Sequence, residues 1–121
     1  MTNISVQGDN LVIDVQGWHK LWSFMSRLEI PLDHVSGVRG AADERARGIR
    51  APGTHIPGII TAGTFHYDGK KVFWDVRDSA KAVAIDLHDE SYSTLIVEVS
   101  DPQSALSNIE TALFDAHYRI Q

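Results

Sequence analysis

The sequence predicts a mainly β domain that ends in a helix. Three observations carry this expectation. Apolar and polar residues alternate with period two over most of the 121 residues. Gly-, Asp- and Pro-containing turns punctuate the alternating runs. After Asp101 the apolar residues switch to helical spacing.

Taken in order, Ile4 and Val6 alternate with Ser5 and Gln7, and Gly8-Asp9-Asn10 reads as a turn. Leu11, Ile13 and Val15 then form the next apolar face. Trp18, Leu21, Trp22 and Met25 fall at i, i+3, i+4 and i+7, which predicts a short inserted helix near residues 17–25. Two turns are marginal alone, so this helix is expected to dock its tryptophans with Trp74 on the sheet. Arg27 and Glu29 interleave with Leu28 and Ile30 before a Pro31-Leu32-Asp33 turn. Gly37 interrupts the alternation between Val35 and Val38, as at a β-bulge. Gly40 to Gly58 is the least regular stretch. A helical turn over Ala41–Arg47 and turns at Pro52-Gly53 and Pro57-Gly58 are expected there. A connection of that length in a small domain is either functional or mobile, and this stretch is the expected functional region.

Asp68-Gly69, between Tyr67 and Lys70, is the strongest hairpin signal because both residues tolerate positive φ. Runs at Val72/Trp74/Val76, Val83/Ile85/Leu87 and Leu95/Val97/Val99 complete what reads as an antiparallel meander. Asp14, Asp75 and Asp86 alternate within strands and are expected to face water. Asp101 suits an N-cap and Pro102 the first helical position. Leu106, Ile109, Leu113 and Ile120 continue the stripe of a capping helix near residues 101–118.

Composition bounds the function. Leu, Ile, Val and Phe total 33 of 121 residues, enough for a real core. The length suits one domain. The absence of cysteine excludes disulfides, thiolate metal sites and a cysteine nucleophile. A net charge of −5 argues against nucleic acid or anionic membrane as partner. Met1–Asp9 lacks the basic-then-apolar pattern of a secretory signal, and no run reaches the length of a membrane helix. The expectation is a cytoplasmic protein without an integral membrane segment.

Three stretches carry a resemblance: Leu28-Glu29-Ile30-Pro31-Leu32-Asp33-His34-Val35; Ala51-Pro52-Gly53-Thr54-His55-Ile56-Pro57-Gly58 with Gly63-Thr64; and Leu95-Ile96-Val97-Glu98-Val99-Ser100-Asp101-Pro102. Together they resemble the small bacterial pleckstrin-homology-like (PH-like) domains. The resemblance implies a PH-like antiparallel barrel of about seven strands, closed by the C-terminal helix, and a binding role without a set ligand. The phosphoinositide-binding branch carries basic residues around its first loop. Here no Lys or Arg stands between Met1 and Trp18, so phosphoinositide binding is not expected. The alternative fold is another small barrel with a helical plug, a β-cup for lipid or small ligands.

No residue pattern announces catalysis. His19, His34, His55, His66, His88 and His117 show no i, i+4 metal pair, and Asp33-His34 neighbours on a strand would face opposite ways. There is no G-x-S-x-G elbow and no phosphate loop. Neither metal nor cofactor is expected. Arg39, Arg45, Arg47 and Arg50 gather four of the seven arginines into twelve positions, a candidate surface for an anion or an acidic partner. The stretch from Asp75 to Asp101 is acidic by contrast. Phe114 and Tyr118, at i and i+4 beside the main helical stripe, are a candidate self-association patch that would make the helix a homo-oligomer contact. The resulting expectation is a non-enzymatic interaction module. Its protein or peptide partner would add as a strand where a sheet edge meets the helix. The alternatives are a small-molecule or lipid-binding barrel and an enzyme with an unrecognised site.

Overall fold

The computed structural model describes residues 2–15, 27–41, 49–56 and 60–120. Nine strands and one α-helix lie among them. The first three strands, β1 (Thr2–Gln7), β2 (Asn10–Val15) and β3 (Arg27–Pro31), form an antiparallel sheet in chain order. A 3-10 turn over Leu32–His34 leads into β4 (Val35–Gly40). With β5 (Ile49–Ile56), β6 (Ile60–Tyr67), β7 (Lys70–Val76), β8 (Ala82–Leu87) and β9 (Thr94–Glu98), β4 builds a six-stranded sheet. Its order is β4-β8-β9-β7-β6-β5. Helix α1 (Pro102–Ile120) follows. The chain is thus mainly β with a C-terminal helix.

Local turn chemistry acts as expected. Tyr67 pairs with Lys70 around Asp68 and Gly69, both at positive φ (53° and 74°). Gln7 pairs with Asn10 around Gly8 (φ 62°), the φ that a tight hairpin requires at its first turn position. The register of β4 against β8 shifts between Val35 and Gly37, at the anticipated bulge. Asp101 caps α1: its carboxylate accepts from the Ser104 backbone N–H (3.2 Å) and hydroxyl (2.8 Å). Those two bonds from Ser104 hold its carboxyl below the usual range.

The pairing corrects the expected meander. Strand β7 runs parallel to β9, and β9 lies between β7 and β8. Neither sheet closes on itself, and nine described strands exceed the expected seven. The connection from β7 to β8 therefore passes the end of β9. There the buried Glu98 carboxylate accepts from the backbone N–H groups of Arg77 (2.8 Å) and Asp78 (3.1 Å). These charge-assisted bonds satisfy amides that the crossover would otherwise leave without partners.

Part of the segment expected to be irregular is a strand. Strand β5 pairs with β6, and Ala51 and Pro52 form a bulge opposite Thr64 rather than a chain-reversing turn. Proline is tolerated because β5 is an edge strand. The expected helices over 17–25 and 41–47 fall largely outside the described residues, as do Trp18, Trp22 and the Pro57-Gly58 turn.

The inner strands of the six-stranded sheet bury residues on both faces. Phe73, Val83, Ile85, Leu95 and Val97 join Leu11, Ile13 and Ile30 of the small sheet and Ile109 of α1 in one core. Trp74, Val76, Ala84 and Ile96 face the other way, in a second cluster with Phe65 and Ala41. Consequently Asp75 is fully buried rather than facing water, and its Oδ2 accepts from the Thr2 hydroxyl at 3.4 Å.

Candidate groove between strand β1 and helix α1

Each open sheet has two edges, and an exposed edge is a template for another strand unless something blunts it. Strand β3 carries Arg27, Glu29 and Pro31. Strand β4 carries Arg39 and the bulge at Gly37. Strand β5 carries Arg50, Pro52 and a bulge. Strand β1, Thr-Asn-Ile-Ser-Val-Gln, has no charge, proline or glycine and keeps an unbroken register with β2. Among the described residues β1 pairs with β2 alone.

The other side of β1 opens on a groove of about 860 Å³. Ile4, Ser5 and Val6 form one wall, Ala105, Asn108, Ala112 and Asp115 of α1 the other, and Leu32 and Ile109 contribute core side chains. A second, more polar groove of about 490 Å³ adjoins it and shares Ile4, Ser5, Ala105 and Asn108. Asn3, Gln7, Asp14, Arg27, Asp101 and Ser104 line this part. Alternation along β1 explains the division: Ile4 and Val6 lie on the core side, Asn3, Ser5 and Gln7 on the other. Val6 (41% exposed) and Phe114 of α1 (60%) are the exposed large hydrophobic residues among those described. They lie on the two elements that bound the groove.

The Leu32–His34 corner anchors the groove end. The Leu32 N–H donates to Asp9 O (2.9 Å) and the His88 N–H to His34 O (2.9 Å). His34 Nδ1 meets Glu90 Oε2 at 2.6 Å, and the His34 and His88 rings stand 5.9 Å apart. The hydrogen bond to Glu90 raises the His34 pKa above 6.5, with Asp33 and Asp89 adding to it against partial desolvation. The carboxylate that engages His34 stands 56 residues away in sequence, a pairing no local spacing could announce. No group of three metal-ligating residues forms among the described residues.

The arginines are not brought together where they are described. Arg39 and Arg50 lie on opposite edge strands of the large sheet, and Arg45 and Arg47 lie outside the described residues. Arg39 Nε donates to Asp86 Oδ2 (3.2 Å) and Nη2 to Oδ1 (3.4 Å), while Thr94 Oγ1 donates to Asp86 Oδ1 (2.9 Å). Tyr118 belongs to α1, but its side chain lies outside the described residues. No described helix is long and apolar enough to cross a membrane. No family model, curated protein or solved structure matches the chain.

Proposed function

We propose that the chain is a non-enzymatic binding module that accepts an extended peptide segment as an added strand beside β1, under α1. One observation carries this reading: among the described residues, the one unblunted sheet edge is the one that opens on the groove. Backbone N–H and C=O groups along β1 supply affinity without regard to sequence, and the groove supplies selectivity through alternate side chains. An isolated segment fits better than a second copy. A second copy would bring its own net charge of −5 against the carboxylates that line the groove.

The PH-like relationship belongs to the same proposal. It is supported by the Pro31-Leu32 corner and by the helix that follows the last strand after Asp101-Pro102. It has to accommodate the parallel β7–β9 pair.

The volume of the groove and its Ile4, Leu32 and Ile109 walls favour a second reading, an apolar small molecule or acyl chain. Backbone amide exchange separates the two. Selection from a library of random decapeptides should yield ligands that slow exchange of β1 amides. An apolar small molecule would instead shift Ile4 and Ile109 methyl resonances and leave β1 exchange unchanged. Peptide protection confined to another edge, or no peptide selected at all, overturns the strand-addition reading.

A further inference from the structure

We infer that the segment seated beside β1 alternates apolar and basic side chains, an inference that rests on the strand-addition reading and specifies its ligand. A strand added to β1 must alternate in step with it. Side chains on the core side meet Ile4, Val6, Leu32, Ile109 and Ala112, an apolar wall. That register selects apolar residues at every second position.

Those on the other side meet Asn3, Ser5 and Gln7 together with charged groups. The charges there are unequal. Carboxylates line both parts of the groove, Asp115 in the apolar part and Asp14 and Asp101 in the polar part. Among the described residues the one cation lining either part is Arg27, whose Nη2 already engages Glu29 Oε1 at 3.2 Å. On the side of Asn3, Ser5 and Gln7 an acidic peptide would bring like charge against Asp14 and Asp101, whereas Lys or Arg at those alternate positions complements them. The net charge of −5 acts in the same direction over longer range.

Four fluorescent decapeptides test this: alternating Val/Lys, alternating Val/Glu, alternating Val/Gln, and a block peptide with the Val/Lys composition unalternated. Binding is read by anisotropy and β1 amide exchange. The Val/Lys peptide should bind at least tenfold tighter than Val/Glu and tighter than the block peptide, with the charge preference shrinking in high salt. Asp14→Asn should lower the Val/Lys preference about two- to fivefold, the scale of one exposed ion pair. Glu110→Gln, on α1 but away from the groove, should leave it unchanged. Equal binding of Val/Lys, Val/Gln and Val/Glu with β1 protected overturns the charge inference and leaves strand addition standing. Equal binding of the block and alternating Lys peptides, without β1 protection, overturns the alternation. Failure of all four overturns strand addition and this inference together.

Discussion

Strands β1 and β4 are both sheet edges, yet the chain treats them in opposite ways. Strand β4 starts at a corner tied to the β8–β9 turn, bulges at Gly37, and carries Arg39 paired with Asp86. Each feature discourages another strand from adding. Strand β1 is straight in register, uncharged, and borders an apolar groove. Among the described residues β1 is the edge without charge, proline, glycine or bulge, and the proposed strand addition rests on that difference.

The comparison breaks first at the wall of the groove. Ile109 is fully buried and belongs at once to the core and to the groove lining. Ile109→Ala should cost about 2–5 kcal/mol in chemical denaturation, through lost burial and the cavity left behind. Phe114→Ala on the same helix should stay within about 0.5 kcal/mol. A similar loss at both positions would mean that α1 does not sit on the sheet as described. A smaller effect sharpens the role of the edge itself. Ser5→Lys gives β1 the protection that β4 has, on the polar side of the strand. Peptide binding should fall about tenfold or more while stability changes by no more than about 0.5 kcal/mol. Unchanged binding would show that β1 is not the contact.

How legible these features were depends on the range of the interactions behind them. The Asp68-Gly69 hairpin, the Gly37 bulge and the Asp101-Pro102 helix start were readable because residues within a few positions determine them. Strand β5 was hidden because Pro52-Gly53 has the chemistry of a turn, and only pairing with β6 turns it into a bulge. The parallel β7–β9 pair was not readable because period-two alternation states which face is apolar and never which strand is the neighbour. Asp75 was misplaced for a related reason: alternation cannot tell that the opposite face is also covered. The candidate site shows the same divide. The lack of basic residues near the N-terminus was visible in the sequence. That β1 pairs with β2 alone among the described residues, beside α1, required the topology. The four arginines were close in sequence, but β4 and β5 go to opposite edges of one sheet and separate Arg39 from Arg50.

Blunting at β4 is itself testable. Arg39 and Asp86 are both well exposed, at 45% and 36%. Arg39→Ala should therefore lower stability by no more than about 1 kcal/mol. Its clearer effect should be on solution behaviour, with more self-association in analytical ultracentrifugation than the parent chain. If Arg39→Ala stays as dispersed as the parent, the charge on β4 is not what protects that edge.

The smallest expected effect lies at the corner that joins the two sheets. The His34–Glu90 contact tightens the start of β4, and Leu32 of the same 3-10 turn lines the groove beside β1. Because the folded chain raises the His34 pKa, folding favours its protonated form. The stabilisation is fully present below the unfolded value near 6.5 and is lost as pH rises through the raised folded value. Stability should thus decline slightly across that window. The NMR titration midpoint of the His34 ring should stand above that of an unpaired histidine. Glu90→Gln should lower that midpoint and flatten the decline, because Asp33 and Asp89 remain but the principal partner is gone. It should leave peptide affinity at β1 nearly unchanged at low pH and high pH alike. If the variant instead weakens binding as much as Ser5→Lys does, the corner is part of the groove and the two edges are not independent.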